Sequence, residues 1–242
     1  MSSGLGTVIA KRSVSLSKTY PIFGILLAIV GLFLASSSGA VGNLPSSGIP
    51  ANATGASSVE LATSLPLVAV ALQVLATILF ATPVLLLYVY DKNNGALEYF
   101  MSLGMNQGDI YRQYLRAALI LSLALVAFNV GIDLVVGLIE GTSGLMLLEL
   151  SGLIVALALA AVSFGTLVMM SFSSLQKQRV GSNQPLGMVI GVFTVLPAYL
   201  IAFAAPSIAL EVDFLLAGVV ASLSLLMYLA SSRLISREKL LP

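Results

Sequence analysis

The sequence predicts an all-α integral membrane protein with six transmembrane helices, an N-terminal helix at the membrane surface and a short cytoplasmic helix between spans two and three. Three observations predict it. Of 242 residues, 58% are hydrophobic and only 9% charged, whereas soluble domains carry roughly 25% charged residues. Six apolar runs approach or exceed the roughly 20 residues that a helix needs to cross about 30 Å of hydrocarbon. All eleven Lys and Arg residues lie before the first run, after the last, or in alternate connections.

The elements follow in chain order. Within residues 1–19, Leu5, Val8, Ile9, Arg12 and Leu16 recur at helical spacing, which predicts an amphipathic helix on the cytoplasmic interface, with Pro21 marking the turn into the membrane. The expected spans are 20–40, 64–90, 114–139, 147–172, 186–205 and 214–231, within one transmembrane domain covering residues 1–242. The second and third have length to spare, which predicts tilt or extension beyond the bilayer. Residues 41–63 are rich in Gly, Ser, Ala and Pro and read as a flexible external hairpin, in which Asn52-Ala-Thr54 fits a glycosylation acceptor.

Orientation rests on the basic residues, which resist translocation and accumulate in cytoplasmic loops. Lys11, Arg12 and Lys18 precede the first span; Lys92, Arg112 and Arg116 separate the second from the third; Lys177 and Arg179 separate the fourth from the fifth; Arg233, Arg237 and Lys239 follow the sixth. The alternate connections hold Glu60, Glu140, Glu211 and Asp213 instead. Both termini are therefore expected in the cytoplasm, in a multi-pass protein of the cell membrane.

The chain has neither Cys nor His. Disulfides and thiolate metal sites are excluded, and the commonest metal ligand and acid/base catalyst is missing. No catalytic residue, metal site, bound cofactor or nucleic-acid partner is expected. The chain also lacks a GxxxxGK[ST] phosphate loop, so any ATP-driven work needs a motor from elsewhere.

The most polar internal stretch is Asp91–Leu115, DKNNGALEYFMSLGMNQGDIYRQYL. If residues 96–103 are helical, Leu97, Phe100 and Met101 share one face by i, i+3 and i+4 spacing, and Glu98 and Ser102 share another. An exposed face of this kind suits a partner protein; packing along the lipid interface is the other reading. The segment resembles the first intracellular loop of permeases of the type 2 class of ABC exporters. Asp91-Lys92 matches the family's charged pair, Gly95 its glycine, Leu97-Glu98 its leucine and glutamate, and Tyr99, Phe100, Met101 and Leu103 its apolar contact run. Asp109-Ile110 matches the acidic-apolar pair that opens the second helix, and Arg112 and Arg116 are candidates for the basic residue beyond it. Gly104 stands where many members have proline, a feature shared with the lipoprotein-releasing class, which however has four spans and a large external domain. The resemblance implies six spans and a coupling helix in this loop. It implies docking on a separate ABC ATPase subunit through Gly95, Leu97, Glu98, Tyr99, Phe100, Met101 and Leu103, with ATP and Mg on that partner. It also implies pairing with a second copy or a related permease chain.

Polar residues within the spans need separate accounts, because an ionisable group in hydrocarbon costs about 2.5–3.5 kcal/mol on insertion scales. Asn129, Asp133 and Glu140 form one stripe of the third span, expected either to line the exit of a substrate path or to bond other polar groups near the external mouth. Gln73 and Thr77, one turn apart on the second span, are expected to share a cavity or to bond across to another helix. Gly187 and Gly191 open the fifth span with a small-xxx-small pattern that permits close helix packing. Taken together, the sequence and the resemblance lead to an expected permease subunit of an ATP-driven ABC exporter; the alternative is a non-transporting membrane anchor or assembly subunit of a larger complex.

Overall fold

The computed structural model describes residues 4–42, 55–139, 144–171 and 206–234, together with residues 141, 196–198, 200, 201 and 204; within these, side chains are described outside 37–42, 55–65, 206–207 and 231–234. Seven helices are described: α1 Leu5–Leu16, α2 Thr19–Gly42, α3 Gly55–Asn93, α4 Ala96–Ser102, α5 Gln107–Ile139, α6 Gly144–Ser171 and α7 Pro206–Leu234. No strand is present among the described residues. Five of these helices, α2, α3, α5, α6 and α7, are long and apolar enough to cross a membrane, as expected of a multi-pass helical membrane protein. The expected fifth span, 186–205, with Gly187 and Gly191, lies largely outside the described residues, as do Glu140, Asn52 and Lys177.

Two boundaries differ from expectation. The backbone of residues 55–63 belongs to α3, and α2 runs on to Gly42, so the hairpin expected over 41–63 is shortened from both sides. From Ala56 to Leu65 the chain holds neither proline nor glycine, so nothing there breaks a helix, and a helix satisfies its own backbone groups where a loop would need water.

α3 is the central helix. It is apolar on all sides, and its membrane window is mostly buried, as is that of α6, whereas α2, α5 and α7 turn most of their surface outward. That outward surface carries Ile22, Phe23, Leu26, Ile29 and Phe33 on α2, Phe128 and Val135 on α5, and Leu215, Leu225 and Leu229 on α7. Large apolar side chains in such number facing out of a bundle match lipid as the surrounding medium.

α2 joins the bundle along a strip of small residues, Gly24, Ala28 and Gly31. A side chain at Gly24 would put its Cβ 2.9 Å from the Ala76 carbonyl oxygen, and one at Gly31 would come 3.0 Å from Gln73 Cγ. Ala28 is completely buried against Ala76 and Leu125. Small residues let helix backbones approach closely in a membrane. Gly24→Val is therefore expected to lower stability by about 1–3 kcal/mol, since a backbone carbonyl cannot move aside, while Gly218→Val on α7, where nothing lies within 4 Å, is expected to leave it unchanged; thermal unfolding in detergent checks both.

The two ends of the bundle differ in charge. Lys11 and Arg12 of α1, Lys18 before α2, Lys92 at the end of α3 and Arg112 and Arg116 at the start of α5 occupy one end, held there by contacts among α1, α3 and α5. α6 finishes at the same end, where Tyr111 donates to the Leu167 carbonyl at 2.8 Å and shares a hydrogen bond with Ser171. α7 also finishes there, the Arg112 guanidinium lying 5.7 Å from the Tyr228 ring centroid. At the opposite end Gly141 turns α5 back toward α6 with φ 73°, and Glu149, Glu211 and Asp213 lie near the starts of α6 and α7.

Candidate functional site

The basic end holds the candidate site, assembled from α1, the end of α3, α4 and the start of α5. α3 stops where Gly95 adopts φ 73°, a left-handed conformation that glycine enters without steric cost. α4 then makes seven residues and stops at a second left-handed glycine, Gly104, with φ 82°. Its closing bonds run from Gly104 N–H to the Met101 carbonyl at 3.0 Å and from Met105 N–H to the Phe100 carbonyl at 3.2 Å, the paired pattern of a Schellman motif. Gly104 therefore ends α4 by its own geometry where proline would end it by lacking a donor. The Asn106 carbonyl accepts from Asp109 and Ile110 N–H and opens α5.

The expected grouping of Leu97, Phe100 and Met101 is present, but it faces inward. Leu97 is 0% exposed and belongs to the main core, and Phe100 and Met101 are half-buried against that core. Leu97 is thus taken up by this chain's own packing, while Phe100 and Met101 keep part of their surface open: periodicity groups side chains, but α3 and α5 pass close enough to cover part of this group themselves. The surface left open carries Glu98, Tyr99 at 62% exposure and Leu103 at 63%. Gly95 remains half-buried at the hinge.

Beside α4 lies a charged node whose pairing the residue pattern did not reveal. Asp91, 1% exposed, sits in the last turn of α3 with Arg12 Nη2 3.0 Å from its Oδ1. Tyr114 of α5 donates to Asp91 Oδ2 at 2.6 Å, and the Tyr88 ring stands edge-on to Tyr114 at 5.3 Å between centroids. One carboxylate thus ties α1, α3 and α5 together. Sequence separation hides such a node, since Arg12 and Asp91 are 79 positions apart; the resemblance marked Asp91-Lys92 as a charged pair but not the partner across the fold. α1 also has a face on the protein that the expected interfacial stripe did not describe. Gly6, Ile9, Ala10 and Ser13 are buried, and a Cβ at Gly6 would meet Gln113 Oε1 and Arg116 Cβ at 3.4 Å. Val8 and Leu16 point outward, so the helix has a small-residue face on the bundle and an apolar face open to the interface.

The polar residues within the spans gather near the other end. Gln73 Nε2 donates to Asp133 Oδ1 at 3.2 Å, joining α3 to α5. Of the pair expected to share a cavity or to bond across to another helix, Gln73 bonds across, while the Thr77 hydroxyl donates to the Gln73 carbonyl at 2.9 Å within α3. Asn129, one turn before Asp133, is completely buried.

No protein-family model matches this chain, and no curated protein or solved structure matches it. The chain is an all-α protein with several long apolar helices, as in a multi-pass membrane protein.

Proposed function

We propose that this chain is the membrane-spanning permease subunit of an ATP-driven ABC exporter, coupled through α4 to a separate ATPase subunit. Two copies, or this chain and a related one, form the translocation path. The basic end faces the cytoplasm, because Lys and Arg concentrate on that side of membrane proteins, and both termini lie there. ATP and Mg belong to the partner; this chain performs no catalysis of its own.

The observation that carries the reading is the form of α4. It is a seven-residue helix bounded by two left-handed glycines, seated by Leu97 and open along Glu98, Tyr99 and Leu103. A helix this short gains little from its own hydrogen bonds, so its order comes from the core it sits on, and its open aromatic and apolar side chains suit a shallow pocket. Glu98 at the rim suits a basic or hydrogen-bond-donating partner group. A push on α4 would reach α3 and α5 directly and α1 through the Asp91 node.

Affinity purification of the tagged chain from its own membranes, with ATP hydrolysis measured in the eluate, tests this. The wild type is expected to carry an ATPase. Replacing Tyr99 and Leu103 together by Asp is expected to reduce the co-purified ATPase at least tenfold, as loss of an aromatic anchor does at protein interfaces, whereas Lys18→Gln on the same end should not. Cysteine placed at Asn94 should be shielded from an impermeant thiol reagent in intact cells. Full ATPase recovery with the doubly substituted chain would remove the docking role of α4, and no ATPase with the wild type would remove the exporter reading.

A further inference from the structure

We propose that the outer surface of α1, together with Arg116 of α5, binds the anionic phospholipids of the leaflet beside it, an interaction separate from ATPase docking at α4. α1 turns Gly6, Ile9, Ala10 and Ser13 to the bundle, which leaves Val8, Lys11, Ser15 and Leu16 exposed on its remaining surface. A Cβ at Gly6 would lie 3.4 Å from Arg116 Cβ, so Arg116, itself exposed, flanks the first turns of α1. Lys11 follows in the middle of the helix, and Lys18 lies two residues past its end. The three cations are thus strung along a helix about 18 Å long. Among the described residues none of them has an ion-pair partner: Asp91 is taken by Arg12, and Asp109 lies 3.8 Å from Arg112.

The chain itself fixes what lies against this surface. Only Ser17 and Lys18 separate α1 from α2, and α2 turns Ile22, Phe23 and Leu26 outward, so the hydrocarbon begins just beyond Lys18. Ser17 is extended, with φ −140° and ψ 92°, which breaks the helix and lets α1 leave the axis of α2 while staying tethered at the level of the headgroups. A helix held there places its apolar side chains at the boundary between headgroups and acyl chains, and it binds more strongly where the lipids are anionic. Val8 and Leu16 supply that apolar contact. They stand about two turns apart and form no continuous patch of the kind a protein partner uses. The cations likewise do not converge on one point. A single phosphate group meets one of them, whereas a layer of headgroups meets all three, and charge complementarity makes that layer anionic.

The chain has no Trp, so Val8→Trp reports contact at this surface, and Leu215→Trp, at an exposed position near the acidic end, serves as the reference. Each full-length variant is reconstituted into phosphatidylcholine vesicles that contain an equal mole fraction of brominated phosphatidylcholine or brominated phosphatidylglycerol, and quenching of tryptophan fluorescence is measured. One cation at an anionic surface is worth about fivefold in lipid association, so phosphatidylglycerol is expected to be preferred at least fivefold in Val8→Trp and to have no advantage in Leu215→Trp. Adding Lys11→Gln, Lys18→Gln and Arg116→Gln to Val8→Trp should abolish the preference. The charge-retaining set Lys11→Arg, Lys18→Arg and Arg116→Lys should keep it, which separates loss of charge from any disturbance of folding. Absence of quenching by either lipid in Val8→Trp would mean that water or another protein covers α1 and would overturn the proposal. Equal quenching by the two lipids, or a preference that survives the three Gln substitutions, would overturn it equally. The vesicles contain this chain alone, so none of these outcomes depends on whether an ATPase binds α4.

Discussion

Leu97→Asp is expected to remove most of the folded protein, a larger loss than any substitution on the open side of α4 would cause. The side chain is 0% exposed and lies in the main core. Burying a carboxylate in that core costs about 4 kcal/mol or more, a large part of the stability of a typical domain. Leu97→Met keeps the volume and should cost less than about 1.5 kcal/mol. Size-exclusion profiles of detergent extracts separate the two results: an aggregated or absent peak for Leu97→Asp, a normal peak for Leu97→Met. A normal, stable peak for Leu97→Asp would mean that α4 lifts easily off α3 and α5, and the seating of the helix would have to be abandoned.

Arg12→Met is expected to release α1 from the bundle. It leaves the Asp91 carboxylate buried with only the Tyr114 hydroxyl. Removing one partner of a fully buried pair costs about 3–5 kcal/mol; because the Arg12 side chain is 47% exposed, solvent already screens part of the pair, and about 2–3 kcal/mol is the appropriate figure. The chain has no native cysteine, so Ser13→Cys, at a position 0% exposed, reports the opening of α1 through its thiol labelling rate. That rate should rise about 30- to 150-fold when Arg12→Met is added, at tenfold per 1.4 kcal/mol. Adding Asp91→Asn, which removes the charge and retains a hydrogen-bond acceptor for Tyr114, should restore most of the protection. An unchanged rate in Arg12→Met would show that the ion pair does not hold α1.

The legible parts of the structure were those that depend on local pattern. Apolar run length located α2, α3, α5, α6 and α7, and the basic residues sorted to one end. Pro21 falls in the first turn of α2, where a missing N–H costs nothing, so the entry into the membrane could be read from a single residue. The grouping of Leu97, Phe100 and Met101 was also legible. What covers that group was not, because helical spacing is the same whether a face meets a foreign subunit or the chain's own neighbouring helices. The strip of Gly24, Ala28 and Gly31 was missed for a related reason: small residues are frequent in membrane helices, and only the approach of Ala76 and Gln73 distinguishes this set. Gln73 and Asp133 could each be marked as costly in hydrocarbon, but a residue's depth does not reveal its partner 60 positions away.

α5 is 33 residues long and contains no proline. Its first turn follows directly from the closed turn at Gly104, and Asp133 lies about 39 Å along the axis from Gln107. An unbroken helix of that length resists bending, so it behaves as a lever and not as a hinge. If the contact of Gln73 with Asp133 serves as the fulcrum, a sideways displacement of about 2 Å at Gln107 tilts the whole rod by about 3°. The aromatic joints at Tyr111 and Tyr114 then carry the torque to the ends of α6 and α3, so motion at the basic end is delivered as rotation of packed helices without unwinding any of them.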